Sequence, residues 1–203
     1  MTSYLVLFGY TIITAIEAIR TPSVHVRHIM NIETAVSLVA GLVYGMFMEE
    51  IKKPDFDLSK IVPLRYLDWT ITTPLILLAI VLFYNERIGT VPWTAYAGLV
   101  ILDWAMLYAG YLGETKRVGF WTGLIAGFAA FAALLLVLWR LIPAGRSPTV
   151  FWIFAAIWSG YGIAYMLDEE TKNITYNILD VIAKAIFGVV LWLYYGRVLA
   201  FQG

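Results

Sequence analysis

The sequence predicts an all-α membrane protein, built as one bundle of seven transmembrane helices. Of its 203 residues, 61% are hydrophobic and only 14% are charged, and the mean hydropathy is +0.79. Such a composition lies far from that of an ordinary soluble domain. The apolar residues gather into seven segments with short connections between them, and most segments are long enough to cross about 30 Å of hydrocarbon.

The predicted spans, in chain order, are residues 3–20, 28–48, 62–84, 91–112, 118–141, 148–168 and 173–199. The first span is brief and has no basic leading region or small-residue cleavage site, so we interpret it as a retained helix and not as a signal peptide. The longest polar connection runs from Glu49 to Lys60, where the alternation over Asp55–Leu58 suggests a small extended element. We therefore expect a single membrane domain over residues 1–203.

The loop charges leave the orientation of the bundle open. With the N-terminus outside, equal numbers of basic residues lie on each side, so the positive-inside rule decides nothing. The inner set is Arg20, Arg27, Arg87, Arg140, Arg146 and Arg197, and the outer set is Lys52, Lys53, Lys60, Lys116, Arg117 and Lys172. The acids Glu49, Glu50, Asp55, Asp57, Glu114, Asp168, Glu169 and Glu170 then all lie outside. Acids count weakly in this rule, although their bias favours an extracellular N-terminus.

Ionisable side chains inside the spans are the strongest functional signal. Lys184 lies deep in the last span, one helical turn after Asp180, so the two share a helix face. A buried ammonium is costly and must be paired, neutralised or chemically used. In the third span Arg65, Asp68 and Thr72 also share one face. Two acids near one lysine favour a tuned protonatable group, and the alternative is an ion pair that only fastens the third and seventh helices.

Aromatic side chains are predicted to surround this cluster. They are Trp69, Trp121, Trp158, Tyr161 and Tyr165. The last three follow i, i+3, i+7 spacing, which alone is more typical of core packing or of an interfacial belt. Met106 and Gly110 share a face of the fourth span, where the small residue leaves room for a bulky neighbour. Together these residues could enclose an elongated apolar ligand attached to Lys184.

Other polar residues give weaker signals. We interpret Asp103 as a hydrogen-bonded packing residue and Glu33 as a solvated acid at the inner end of the second helix, with a place on a proton path as the alternative for both. The chain has no cysteine, and its two histidines, His25 and His28, lie at an inner loop. We therefore expect no disulfide, no metal site, no enzyme and no nucleic-acid partner.

Three motifs carry a specific resemblance to a known family. They are Arg65–Leu75 (RYLDWTITTPL), Trp158–Tyr161 (WSGY) and Leu179–Lys184 (LDVIAK). These motifs look like those of the microbial (type 1) rhodopsins, near bacteriorhodopsin, and the resemblance covers all seven spans. It implies all-trans-retinal bound to Lys184 as a protonated Schiff base, and an N-terminus outside the cell. Residues 28–34 and 172–177 more faintly resemble the viral rhodopsins, which include light-gated channels, and the xenorhodopsins, which include inward pumps and sensors.

The resemblance also implies roles for single residues. Asp68 would be the primary counterion and proton acceptor, Asp180 the second counterion, and Arg65 the gating arginine. Tyr161 would hydrogen-bond Asp180, and Asp103 would bond Thr73. The residues implied to line retinal are Trp69, Thr73, Met106, Gly110, Trp121, Trp158 and Tyr165, with Ile76 and Ala183 at positions that influence colour.

The chain departs from the family pattern on its inner side. The three motif positions of the third helix are Asp68, Thr72 and Ala79, whereas outward proton pumps usually carry a carboxylate at the last of them. Ala79 lies about 16 Å along the helix from Asp68 and cannot donate a proton. Reprotonation would then be slow, or would use water and Glu33.

Two further departures concern the outer side and the sixth helix. Lys172 stands where the family pump has an acid, although Glu169 and Glu170 are close. Gly162 replaces the proline that usually kinks the sixth helix, which is expected to change how that helix moves.

These features favour an outward proton pump in the cell membrane, with retinal and membrane lipids as partners and a homo-oligomer, trimer or pentamer, as the assembly. A slow photosensor is the main alternative; no signalling tail follows Gly203, so it would need a separate transducer. A light-gated cation channel is the next alternative, although Ala40 and Ala185 make the expected gates dry. A chloride pump is disfavoured because an anion would compete with Asp68, and the Asn–Asp–Gln pattern of sodium pumps is missing. The remaining alternative is a seven-helix protein without retinal.

Overall fold

The computed structural model describes residues 2–85 and 91–195, and these form a bundle of seven helical segments. The segments are α1 (Thr2–Arg20), α2 (Val24–Ile51), α3 (Ile61–Asn85), α4 (Trp93–Glu114), α5 (Phe120–Arg140), α6 (Thr149–Ala164), and a seventh made of α7 (Glu169–Val181), a π turn (Ile182–Ile186) and α8 (Phe187–Tyr195). Arg87, Arg197 and the predicted end of the last span lie outside the described residues. Six segments are long and apolar enough to cross a membrane, and α6, at 16 residues, is a shorter apolar helix.

The helices close into a ring in chain order. Each of α1 to α4 packs along the next helix, α6 contacts α5 and α7, and α7 returns to α1. α3 lies nearest the centre of the bundle. Inside the protein, 67% of its most apolar stretch is buried, against 17% for the corresponding stretch of α4. At the contact of α4 with α5, a Cβ on Gly123 would lie 2.9 Å from the Ala109 carbonyl oxygen, so this close approach requires glycine.

The bundle is apolar outside and carries charges inside. Buried charged residues include Glu33, Arg65, Asp68, Asp180 and Lys184. The outer surface bears large exposed apolar side chains, among them Ile12, Ile19, Leu42, Ile101, Leu136 and Ile178. This arrangement suits a surrounding hydrocarbon phase, which cannot solvate charge but does not exclude apolar groups.

Several helix ends differ from the predicted bounds because side chains cap them. α2 begins at Val24, four residues before the predicted start, and the Ser23 hydroxyl accepts from the Val26 amide at 3.3 Å. The seventh segment begins at Glu169, because Asp168 caps it by accepting from the Thr171 amide at 3.0 Å. That hydrogen bond lowers the pKa of Asp168. Hydroxyl and carboxylate caps of this kind satisfy the free amides of a first helical turn.

The extended element predicted over Asp55–Leu58 is wrong. The chain turns there and enters a short 3₁₀ helix, Leu58–Lys60. The Asp57 carboxylate accepts from the Ser59 amide at 2.9 Å, which starts the turn and lowers the pKa of Asp57. Lys60 also pairs with Asp55 at 2.6 Å across the same turn.

Candidate functional site

Lys184 lies at the centre of the bundle between two carboxylates. Its Nζ forms a hydrogen-bonded ion pair with Asp68 Oδ2 of α3 and lies 3.2 Å from Asp180 Oδ1, one turn earlier on its own helix. All three side chains are buried. The π turn Ile182–Ile186 contains the lysine, and such turns inside α-helices frequently occur at functional sites. The predicted grouping of these three residues is therefore present in the structure.

The two carboxylates have unequal surroundings. Asp180 Oδ1 accepts from Trp69 Nε1 at 3.0 Å and from the Tyr161 hydroxyl at 2.8 Å, while Oδ2 accepts from the Tyr44 hydroxyl at 2.8 Å. Asp68 Oδ1 is buried and has no hydrogen-bond partner within the described part of the chain. A carboxylate with several donors is held in its ionised form, whereas an unsatisfied buried oxygen favours proton uptake. The two carboxylates beside Lys184 therefore differ in how fully their oxygens are hydrogen-bonded.

Arg65 pairs with Asp180 and not with Asp68, its neighbour on α3. Its guanidinium lies 3.5 Å from Asp180 Oδ2 and donates to the amide oxygens of Asn177 at 2.9 Å and Asn173 at 3.2 Å. It also lies over the Phe47, Tyr176 and Trp69 rings, 5.1, 5.3 and 5.9 Å from their centroids. The two asparagines were not predicted from the sequence, although their i, i+4 spacing places them on neighbouring turns of one helix face.

Two threonines of α3 make different bonds. The Thr72 hydroxyl donates to the Asp68 backbone carbonyl at 2.9 Å. A threonine four residues along a helix reaches that carbonyl more easily than the side chain. The Thr73 hydroxyl donates to Asp103 Oδ2 at 2.6 Å, which is the bond that the resemblance implied.

An apolar cavity beside Lys184 lies between α3, α4, α5 and α6. The predicted residues that line it are Trp69, Thr73, Ile76, Met106, Gly110, Trp158, Tyr161, Tyr165 and Ala183. Lining residues that were not predicted are Tyr66, Leu107, Gly123, Leu124, Gly127, Phe128, Phe131, Gly162 and Tyr176. A Cβ at Gly162 would overlap the Phe128 ring, so glycine at this position makes room for an aromatic wall. The apolar, aromatic lining beside the buried amine of Lys184 matches the chemistry of retinal.

Trp121 does not line this cavity, and that prediction is wrong. Its side chain is 65% exposed on the outside of α5. The face of α5 that borders the cavity carries Gly123, Gly127 and Phe131 at four-residue spacing. Trp121 precedes Gly123 by two residues, which turns it about 200° away from that face at 3.6 residues per turn.

Glu33 is a buried group toward the other end of the bundle, and its interpretation as a solvated helix-end acid is wrong. It is 1% exposed, and neither carboxyl oxygen has a partner among the described residues. Because α2 begins at Val24, Glu33 lies about 14 Å inside the helix. A Cβ at Gly188 would overlap both the Tyr10 hydroxyl and Glu33 Oε2, so these groups pack directly against α8. Ala79 is fully buried.

A second charged cluster lies near the start of α7, and its members Lys172 and Glu114 are buried. Lys172 Nζ lies 3.2 Å from Glu114 Oε2 and 2.9 Å from Glu169 Oε1, and the hydroxyls of Tyr66 and Tyr176 donate to Glu114 Oε1 at 3.1 and 3.2 Å. Glu114 was assigned to an outer loop from the sequence, and the only signal of its role was its i, i+4 spacing from Gly110. Glu170 is exposed on the first turn of α7. Within residues 2–85 and 91–195, no group of three or more His, Asp or Glu side chains could hold a metal ion.

Known proteins resemble this chain over most of its length. The model of the bacteriorhodopsin-like protein family matches residues 1–198. The opsin-like protein carO of Fusarium fujikuroi is 32% identical over 145 residues, which are 63% of this chain and 46% of that protein, so the match spans less than half of that relative. The green-light absorbing proteorhodopsin of Gamma-proteobacterium EBAC31A08 is 26% identical over 180 residues, 78% of this chain and 71% of that protein. The crystal structure of viral rhodopsin OLPVRII superposes with a TM-score of 0.92 at 31% identity, covering 98% of this chain and 96% of that one.

Proposed function

This chain belongs to the family of bacteriorhodopsin-like proteins, and from that premise we propose that it is a light-driven outward proton pump. The family implies an integral, multi-pass membrane protein that binds retinal through a Schiff base to a lysine. We assign that lysine to Lys184 and the ligand to all-trans-retinal, held as a protonated Schiff base. When bound, retinal supplies the absorption of visible light and a change of shape at the Lys184 nitrogen.

The proposal rests above all on the unequal surroundings of Asp68 and Asp180. Both carboxylates face Lys184 Nζ, yet Asp180 accepts from Trp69, Tyr161 and Tyr44, while Asp68 Oδ1 has no donor among the described side chains. A proton that leaves Lys184 Nζ is therefore taken up by Asp68, and Asp180 remains as the fixed negative charge. Arg65 keeps Asp180 ionised from the far side.

The second requirement of a pump is a proton source on the inner side, and Glu33 meets it. Gly188 lies four residues after Lys184, about 6 Å along the helix axis, and Glu33 Oε2 packs against it. A buried carboxyl group without a partner is much less costly as a neutral acid, so Glu33 holds a proton. In the proposed cycle Glu33 replaces the missing carboxylate at Ala79.

Transport outward requires that the acceptor and the exit lie on the same side. Asp68 and Arg65 precede Ala79 on α3, toward the end of the bundle that holds Lys172, Glu114 and Glu169. We place this end and the N-terminus outside the cell, and Glu33 toward the inside. The proton from Asp68 would leave past Arg65 and Glu169, with the exposed Glu170 at the mouth.

The whole chain, residues 1–203, is proposed to form one retinal-binding domain. From the family resemblance we also propose a homo-oligomer, a trimer or pentamer, in the cell membrane. Light scattering of the detergent-solubilised pigment measures this mass directly.

A slow photosensor is the second candidate function, and the observation that favours it is Ala79. Without a carboxylate at this position, recovery after light depends on Glu33 or on water. A long-lived activated state would serve signalling through a separate transducer.

Infrared difference spectroscopy tests the role of Asp68. Illumination of the purified pigment is expected to produce a new protonated-carboxyl band that disappears in Asp68→Asn. The matched control is Asp55→Asn, which removes an exposed aspartate and should retain the band. If the band persists in Asp68→Asn, another group accepts the proton and the proposed mechanism fails.

A further inference from the structure

A second cavity lies on the outer face of the bundle, between α3 and α4. Leu67, Trp104 and Tyr108 form its open side and are 48%, 48% and 62% exposed. The Trp104 indole nitrogen donates to the Thr70 backbone carbonyl at 3.1 Å, which satisfies the polar atom of the tryptophan. This lateral groove is therefore an apolar, aromatic surface that faces the hydrocarbon of a membrane.

The lateral groove and the cavity at Lys184 share walls. Among the described residues that line these cavities, only Tyr66 and Leu107 line both. These two side chains therefore form the partition between the groove and the cavity at Lys184. Tyr66 and Leu107 are buried, 8% and 9% exposed, and lie between two cavities that are separate in this structure. A displacement of the Tyr66 ring would join the groove to the cavity.

Tyr66 is held in place by contacts that a rotation would break. Its hydroxyl lies over Gly110, where a Cβ would come within 2.7 Å of it, and donates to Glu114 Oε1 at 3.1 Å. Its ring packs edge-on against Trp69 and Tyr111, with centroids 5.1 and 5.3 Å apart. The hydrogen bond to Glu114 is the directional part of this arrangement, because the ring contacts alone allow several positions.

We propose that the lateral groove is the route by which retinal enters from the bilayer, with Tyr66 as its gate and Glu114 as the latch that holds the gate shut. Retinal is an apolar polyene, so it dissolves in hydrocarbon and reaches the protein from the side. The groove offers aromatic surface outside, and the cavity leads from the partition to the amine of Lys184. This inference rests on the proposed attachment of retinal to Lys184, but it does not depend on proton pumping.

The test measures how fast the retinal-free protein, held in phospholipid nanodiscs, forms pigment after retinal is added. Tyr66→Phe keeps the ring and loses the bond to Glu114, so pigment should form roughly fivefold faster, as the loss of one hydrogen bond implies. The matched control is Tyr96→Phe, which removes another phenol bond between α4 and α3, to the Pro74 carbonyl at 3.0 Å. Tyr96 borders neither cavity, and its variant should keep the wild-type rate.

A second variant tests the groove itself. Leu67→Trp adds bulk to a lipid-facing position that does not line the cavity at Lys184, and it should slow pigment formation several-fold without changing the final absorption maximum. Equal rates in Tyr66→Phe and Tyr96→Phe, or an unaffected rate in Leu67→Trp, would overturn the entry route and leave a groove that holds only lipid. If the wild type itself forms no pigment, the attachment of retinal to Lys184 fails, and the entry route fails with it.

Discussion

Replacement of Glu33 by glutamine is the most informative single change on the inner side. The amide would keep nearly the same shape against Gly188 but could not donate a proton. General acids contribute roughly 10²- to 10⁴-fold to proton transfer, so the recovery of the dark absorption after a flash should slow by about a hundredfold or more at neutral pH. The proton would then have to come from bulk water beyond the Gly188 turn, which itself lies about 6 Å along the helix from Lys184.

The pH dependence distinguishes this role from a structural one. In Glu33→Gln the recovery rate should follow the bulk proton concentration and fall about tenfold per pH unit, while the wild-type rate stays nearly flat. Tyr10 is the titratable side chain that packs with Glu33 against α8. Glu17→Gln is the matched control, because it removes a carboxylate from α1 at a partly exposed position. A pH-independent, wild-type rate in Glu33→Gln would refute the reasoning.

Three other comparisons test separate parts of the structure. Trp158→Phe should shift the absorption maximum, whereas Trp121→Phe should leave it unchanged, because of these two tryptophans Trp158 borders the cavity and Trp121 does not. A shifted maximum in Trp121→Phe would contradict the outward position of Trp121. Lys172→Met should lower the free energy of unfolding by about 3 kcal/mol, since it leaves buried Glu114 without its cation, and unchanged stability in a denaturant titration would oppose this. Asp168→Ala should lower thermal stability at neutral pH. The capping hydrogen bond lowers the pKa of Asp168 in the folded protein. The carboxylate therefore stabilises the fold above the ordinary aspartate pKa, and this stabilisation is lost as the pH falls through the lowered pKa of the folded state. A difference in melting temperature between wild type and Asp168→Ala that persists in acid would contradict this.

The helices were well predicted from the sequence because the length of apolar segments depends on the bilayer. All seven predicted spans overlap observed helices, and the ends differ where Ser23 and Asp168 cap the chain. Caps depend on one side chain each, which hydropathy does not register. The grouping of Lys184, Asp68 and Asp180 was also predictable, since buried charges must find each other.

Errors arose where the rotation of a helix or its exact start decides the environment. Trp121 was placed in the cavity by resemblance, but the phase of α5 turns it outward. Glu33 was placed at a helix end because the predicted second span began too late. Glu114 was missed because its role depends on Tyr66 and Lys172, which come from two other helices. Contacts of this kind require the three-dimensional packing.

The most direct test of outward proton pumping is the light-induced pH change in a suspension of cells that express the protein with retinal. Illumination should acidify the medium, and a protonophore should abolish the change, while Asp68→Asn cells should give no signal. Alkalinisation that the protonophore blocks would reverse the direction of transport. A visible pigment without any pH change would contradict pumping and favour the photosensor.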